Sequence, residues 1–130
     1  MKVLDSSFLM DYEDGHPATK DYLLDHSDEE FLVPVPIYVE FLLGGIYGEE
    51  SSPQRARRNL EWVETYPVSE ETADHATEIA DEVDERGPHL SAVDALVAGV
   101  SRELGAPLVS SDSDHTHPSC QRVLDVEEYL

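Results

Sequence analysis

The sequence KVLDSSFLM at residues 2–10 predicts a strand that ends in an acidic side chain and leads directly into a helix. The run 2–4 has the composition of a short β-strand, and Ser6 and Ser7 can cap a helix before the apolar residues that follow. Asp5 therefore lies at the carboxyl end of the predicted strand.

A second segment of this kind lies near the end of the chain. Leu108 and Val109 predict a short strand, and the polar sequence SSDSD at 110–114 follows it directly. Open parallel sheets form their ligand crevices at the carboxyl ends of their strands. We therefore expect Asp5 and Asp112 to lie close together in the folded chain.

Strand and helix patterns alternate along the whole sequence. Strands are predicted at 2–4, 31–33, 66–68, 108–109 and 122–126, and helices after residue 6 and over 18–26, 36–45, 53–64, 70–86 and 92–104. This alternation predicts an α/β fold, a three-layer α/β/α sandwich with a mostly parallel central sheet. A length of 130 residues fits one domain that covers 1–130.

Two further acids occur where the surrounding sequence is apolar. Glu40 is the only charged residue in the range 31–48, which predicts that its carboxylate points inward, toward something that offsets its desolvation. Asp94 follows Ser91 at the spacing of a capping box, so a purely structural role stays open. The rest of its helix is almost wholly apolar, which favours a functional role for Asp94.

Several carboxylates can share one pocket in the ionised state only if a positive charge offsets their repulsion. No lysine or arginine adjoins Asp5, Glu40, Asp94 or Asp112 in the sequence. A bound divalent ion is the simplest source of that charge, and carboxylate oxygens favour Mg²⁺ or Mn²⁺ over zinc. His115 lies beside the last of these acids, where we expect it to be a polar loop residue, because no set of cysteines or histidines has the spacing of a zinc site.

The order of these motifs resembles the PIN-domain family, and within it the toxin ribonucleases of VapBC toxin–antitoxin pairs. The resemblance covers essentially the whole chain. It consists of four segments, VLDSS at 3–7, PIYVE at 36–40, SAVDALVA at 91–98 and LVSSDSD at 108–114.

The resemblance implies a metal-dependent ribonuclease that cleaves RNA by metal-activated water. Its catalytic residues would be Asp5, Glu40, Asp94 and Asp112, which would surround one or two Mg²⁺ or Mn²⁺ ions. Three other residues would support them: Asp114 as a further ligand or supporting acid, and Ser6 and Ser110 as hydroxyls that orient ligands or phosphate. Similar proteins commonly act as homodimers and are inhibited by a small antitoxin whose tail enters the active-site groove.

One position departs from the family pattern. Family members often carry an aromatic residue after the second Asp of the closing motif, whereas this chain has His115. The departure removes no predicted ligand.

The charge balance is strongly acidic, with 29 Asp and Glu against 8 Lys and Arg and a formal net charge of −21. We interpret it as a halophilic adaptation to a salt-rich cytoplasm, because molar salt shortens the range of the repulsive field to about 3 Å. A single cysteine allows no intrachain disulfide, and no stretch has the composition of a membrane span, so we expect a cytoplasmic protein. The only basic cluster consists of Arg55, Arg57 and Arg58, which could contact RNA or a partner or could simply be solvated.

Other functions are compatible with acids at strand ends. A haloacid-dehalogenase-type phosphatase needs Asp-x-Asp after the first strand, and a receiver domain needs a lysine after a late strand, but this chain has Asp5-Ser6-Ser7 and no lysine beyond Lys20. A non-enzymatic acidic binding module with the same fold stays open as an alternative.

Overall fold

The computed structural model describes residues 1–48 and 52–130. Within these residues the strands are β1 (Lys2–Leu4), β2 (Phe31–Pro34), β3 (Glu64–Tyr66), β4 (Leu108–Val109) and β5 (Val126–Glu127). The helices are α1 (Ser6–Glu13), α2 (Pro17–Asp25), α3 (Val35–Tyr47), α4 (Pro53–Asn59), α5 (Glu70–Glu82), α6 (Ala92–Leu104) and α7 (Pro118–Gln121).

The described strands form one all-parallel sheet in the order β3-β2-β1-β4-β5, flanked by helices. This confirms the predicted α/β fold with a parallel central sheet. Strand β1 lies in the centre, with β2 and β3 on one side of it and β4 and β5 on the other. The direction in which the chain adds strands therefore reverses between β1 and β4, which is where open α/β sheets bind ligands.

The core lies on both sides of the central strands. Val3 and Leu4 of β1 and Leu108 and Val109 of β4 are completely buried. The ladder continues to the ends of these strands, where the Asp5 amide donates to the Val109 carbonyl oxygen at 3.2 Å. The residues after β1 and those after β4 consequently leave the sheet side by side.

Helices α5 and α6 pack with their backbones in close contact. Gly99 of α6 is buried, and a Cβ atom at this position would lie 2.7 Å from the Thr72 carbonyl oxygen of α5. Gly105 is the C-cap of α6 and adopts the left-handed conformation, with φ of 61°, which glycine favours. This packing positions the first turn of α6 beside the sheet.

Some element bounds differ from the sequence prediction. Helix α4 ends at Asn59 rather than continuing to Glu64, because Trp62 turns back and donates its indole N–H to the Asn59 carbonyl oxygen at 2.8 Å. The last strand covers Val126–Glu127 rather than 122–126, because only these two residues pair with the two residues of β4. Short elements of this kind depend on tertiary contacts more than on local pattern.

Candidate metal centre

Asp5 lies at the junction of β1 and α1 and is 1% exposed. Its Oδ1 accepts a hydrogen bond from the Ser6 amide at 2.7 Å, which makes Asp5 the N-cap of α1. Its Oδ2 accepts from the Ser110 hydroxyl at 2.7 Å, from the Ser7 hydroxyl at 3.2 Å and from His115 Nδ1 at 3.2 Å. Burial alone would raise the pKa of Asp5, but these donors, His115 foremost, lower it. The carboxylate is therefore ionised and held in one orientation.

Asp94 lies in the first turn of α6 and is half-buried. Its amide donates to the Ser91 hydroxyl at 3.1 Å, as predicted for a helix cap. The pKa of Asp94 is raised, first by burial and also by the negative charges of Asp112 and Asp5, although His115 acts in the opposite direction. The carboxylate thus lies in a field of like charges.

Asp112 and Asp114 lie in the turn that follows β4. The Ser110 hydroxyl accepts the amide hydrogen of Asp112 at 3.0 Å, and Asp112 Oδ1 accepts that of Asp114 at 2.8 Å. These bonds fold the segment back so that both carboxylates are half-buried near the first turn of α6. A turn stabilised by an aspartate side chain is a common way to satisfy backbone amides outside helices and strands.

Four of the predicted acids, Asp5, Asp94, Asp112 and Asp114, converge on one place. Donor atoms of Asp94, Asp112 and Asp114 lie within 4.8 Å of one another, and so do those of Asp5, Asp94 and His115. Asp94 belongs to both groups and connects them. Carboxylate oxygens dominate this set, and such hard donors suit Mg²⁺ or Mn²⁺. The residues therefore fit a divalent cation, and their role as its ligands stays a prediction.

Glu40 does not point inward as the sequence predicted. It is exposed, and in residues 1–48 and 52–130 it belongs to neither donor group. The prediction was wrong because it treated an apolar helix as a buried one, whereas Val39 and Leu43 beside it are also exposed. Glu40 is nevertheless near the site. Its pKa is raised, first by partial burial and then by the negative charges of Asp5 and Asp94, which are close enough to repel its carboxylate.

A groove of about 680 Å³ opens beside Glu40. Helices α1, α3 and α4 form it, and its lining includes Ser6, Leu9, Ile37, Gly44 and Arg55. The basic cluster of α4 is exposed, with Arg55 on the groove and Arg57 and Arg58 in the last helical turn. The structure thus places one arginine of the cluster on the same groove as Glu40.

His115 is a second residue whose environment the sequence predicted wrongly. We predicted a polar loop residue, but its side chain is completely buried between Asp5 and the first turn of α6. Burial alone would lower its pKa, but the hydrogen bond and charge of Asp5 raise the pKa to about 9. The available signal was its position, because an aromatic residue is common there in the family that the chain resembles.

The serine hydroxyls closest to the acids are those of Ser110 and Ser7, whereas the sequence predicted Ser110 and Ser6. Ser110 bonds Asp5 and Asp112 as described above, whereas the Ser6 hydroxyl lies 3.5 Å from Asp5 Oδ1. Ser7, which sequence reasoning missed, donates to Asp5 and accepts from the Ser111 amide at 3.0 Å. It thereby joins the start of α1 to the turn after β4.

Comparison with protein families gives one match over most of the chain. A model of the PIN domain matches residues 2–119. No curated protein matches the sequence significantly.

Solved structures share the fold over nearly their full lengths at low sequence identity. A toxin–antitoxin complex from Klebsiella pneumoniae is 17% identical, with a TM-score of 0.79 over 100% of this chain and 98% of that one. VapBC2 from Rickettsia felis, bound to a DNA fragment from its promoter, is 14% identical, with a TM-score of 0.77 over 98% and 97% of the two chains. FitAcB from Neisseria gonorrhoeae is 15% identical, with a TM-score of 0.77 over 100% and 97%.

Among the described residues, no helix is both long and apolar enough to cross a membrane.

Proposed function

Because the chain belongs to the PIN-domain family, we propose that it is a Mg²⁺- or Mn²⁺-dependent endoribonuclease of the VapC toxin type. The observation that carries the proposal is the convergence of Asp5, Asp94, Asp112 and Asp114 at the strand-order reversal between β1 and β4. Acids from three distant parts of the sequence meet there, and within residues 1–48 and 52–130 none of them forms an ion pair with a lysine or arginine. A cation-assisted phosphodiesterase needs such a site.

We propose that Asp5, Asp94 and Asp112 hold the cation directly, with Asp114 as a further or supporting ligand. When bound, a divalent ion supplies positive charge that polarises a phosphate oxygen and lowers the pKa of water. The protein's part is to keep the carboxylates ionised and oriented. Asp5 is fixed by several donors and Asp112 by its own turn, so little reorganisation is needed on binding.

Glu40 has a different role in this proposal. Its carboxylate stands on the exposed side of the site, within the field of Asp5 and Asp94. We propose that it acts where the RNA backbone enters, by orienting water or substrate. Arg55 lines the same groove, and we propose that it contacts an RNA phosphate. The positive charges of Arg57 and Arg58 would add to the attraction for RNA.

A ribonuclease assay tests the proposed activity. Structured RNAs are incubated with the protein in molar KCl with Mn²⁺, and a parallel reaction contains EDTA. We expect cleavage that EDTA abolishes and that D5N reduces by at least two orders of magnitude. D74N makes the same charge change on an exposed face of α5 and should retain full activity.

Two results would contradict this function. Cleavage that persists in D5N would exclude a mechanism centred on Asp5. Binding of Mn²⁺ and RNA by the wild-type chain without any cleavage would favour the alternative of an acidic binding module.

The structural neighbours that are toxin–antitoxin complexes support a small antitoxin as a partner. We propose that its tail occupies the groove between α1, α3 and α4, which combines apolar Leu9 and Ile37 with acidic Glu13, Asp14 and Glu40. An apolar segment with basic side chains would complement this lining.

Native mass spectrometry of the chain purified from its own host tests the partner. We expect a bound small protein that G44W displaces, because Gly44 lines the groove and has open space around its Cβ position. Retention of the partner by G44W would exclude this groove as its binding site.

We further propose that the protein is a homodimer through α3. One face of this helix carries a row of exposed apolar side chains, namely Val35, Val39, Leu43, Ile46 and Tyr47. Their spacing of three and four residues forms a single stripe that a second copy of the helix could cover. Analytical ultracentrifugation should give a dimer for the wild-type chain and a monomer for V39E/L43E, and a monomeric wild-type protein would refute the proposal.

A further inference from the structure

A histidine is buried against the acids of the candidate metal centre without being a predicted ligand. His115 follows Asp114 directly, and its side chain has no exposed surface. Its ring lies between the Asp5 carboxylate, at the end of β1, and the backbone of Asp94, in the first turn of α6. It therefore bridges two parts of the chain that each carry an acid of the site.

Both ring nitrogens face oxygen atoms. His115 Nδ1 lies 3.2 Å from Asp5 Oδ2, and Nε2 lies 3.1 Å from the Asp94 carbonyl oxygen. The Ser110 hydroxyl donates its only hydrogen to Asp5 at the shorter distance of 2.7 Å, so it does not serve as the donor to Nδ1. The Asp94 carbonyl oxygen can only accept, so Nε2 donates that hydrogen bond, while Nδ1 is in contact with the Asp5 carboxylate.

This arrangement gives both ring nitrogens of His115 a partner within the protein. Its ring lies close enough to Asp5 and Asp94 to be a third ligand, but in this structure it bridges these two residues. It also contributes a backbone bond, since its amide lies 3.4 Å from Asp112 Oδ1. One residue thus contacts all three segments that bear the predicted ligands.

We propose that His115 is a positioning residue that holds Asp5 and the first turn of α6 in ligand geometry before the ion binds. The inference rests on the proposed function, because it concerns the same cation site. It assigns to this chain a specific hydrogen-bonding role at a position where the family often has an aromatic residue. Loss of such an outer partner typically lowers metal affinity by about 10–100-fold.

Three substitutions separate the two hydrogen bonds of the ring. H115F fills a similar volume and donates nothing. H115N places an amide nitrogen where Nδ1 stands and can keep the bond to Asp5, whereas H115Q places one where Nε2 stands and can keep only the bond to Asp94. We expect Mn²⁺ affinity, measured by calorimetry in molar KCl, to fall in the order wild type, H115N, H115Q, H115F, with a loss of roughly 10–100-fold for H115F.

A control distinguishes positioning from general stability. S101A removes another buried hydrogen bond of α6, from Ser101 to the Ala106 carbonyl oxygen, away from the acids. It should lower the midpoint of thermal unfolding and leave Mn²⁺ affinity unchanged. A loss of Mn²⁺ affinity in S101A as large as that in H115Q would overturn the inference.

The remaining outcomes are also decisive. Wild-type affinity in H115F would overturn the inference and leave the proposed function standing. If H115F does not fold, H115N and H115Q decide, and wild-type affinity in both of these variants would overturn the inference. A wild-type protein that binds no Mn²⁺ would overturn the proposed function together with it.

Discussion

Asp94 is the residue shared by the two groups of acidic donors, and the environments of Asp94 and Asp5 differ. Asp5 is buried and accepts hydrogen bonds on both carboxylate oxygens, and its pKa is lowered despite burial. Asp94 is half-buried and has few donors, so its pKa is raised by burial and by neighbouring charge. A cation bound beside Asp94 would offset this repulsion and stabilise its ionised carboxylate.

Replacement of Asp94 should therefore affect metal binding more than replacement of Glu40. We expect D94N to lower Mn²⁺ affinity by at least 10–100-fold, the range that is typical even for outer partners of a metal site. E40Q should change it several-fold at most, because Glu40 is exposed and belongs to neither donor group in the described part of the chain. Calorimetric titration of both variants measures the difference, and a larger loss in E40Q would contradict it.

The sequence predicted Asp5 and Asp112 for a physical reason, and the predictions for Glu40 and His115 failed for another. Asp5 and Asp112 follow strands, and the ends of adjacent parallel strands must meet at one edge of a sheet. The exposure of Glu40 depends on whether α3 has a partner, which hydropathy cannot report. The burial of His115 depends on Asp5, 110 residues away in the sequence.

At the scale of elements, the close contact between α5 and α6 determines where the first turn of α6 lies. Gly99 permits this contact, because any larger residue would meet the backbone of α5. Gly44 of α3 has open space around its Cβ position instead. The two glycines are a matched pair for testing whether helix packing or helix propensity dominates.

We expect G99A to destabilise the protein by about 1–3 kcal/mol, as overpacking does. G44A should stabilise it by about 0.5–1 kcal/mol, because alanine loses less conformational freedom in a helix. Urea denaturation in high KCl measures both changes. Equal effects of the two substitutions would show that α5 and α6 do not pack as closely as described.

A salt bridge joins the first strand, β1, to the last, β5. Buried Lys2 of β1 reaches Glu127 of β5, with Nζ 2.6 Å from Oε2, and the Tyr22 hydroxyl donates to Oε1 at 2.8 Å. Burial alone would raise the pKa of Glu127, but the bond from Lys2 and then that from Tyr22 lower it. Glu127 therefore binds its proton less tightly in the folded protein than in the unfolded chain.

A pH titration of stability tests this salt bridge. Because the folded pKa is the lower one, the stabilisation is fully present above a pH of about 4.5 and is lost as the pH falls through the folded pKa. The free energy of unfolding of the wild type should exceed that of E127Q near neutral pH, and the difference should vanish in acid. E128Q, at the exposed neighbouring position, is the control, and a difference that is constant with pH would contradict the expectation.

At the scale of the whole molecule, acids far outnumber bases, with a net charge of −21. Lys2, Arg102 and Arg122 each pair with an acid, so these cations offset only part of the excess. The overall fold was predictable because alternating strand and helix patterns allow few arrangements other than a parallel sheet. The bounds of β5 and the existence of α7 were not, because these elements contain two and four residues and depend on tertiary contacts.

The charge excess leads to a prediction about salt. The range of electrostatic repulsion falls from about 8 Å at 0.15 M to about 3 Å at 1 M salt. We expect the free energy of unfolding to rise as KCl increases toward molar concentration, measured by thermal or urea denaturation. Maximal stability in dilute buffer would refute the halophilic interpretation without affecting the metal site.

The central claim is that acids distant in the sequence hold one divalent cation. Crystals grown with Mn²⁺ in high KCl, with diffraction measured near the manganese absorption edge, test it directly. We predict an anomalous difference peak at coordination distance, roughly 2.0–2.6 Å, from carboxylate oxygens of Asp5, Asp94 and Asp112. A map with ordered acidic side chains and no peak among them would contradict the account.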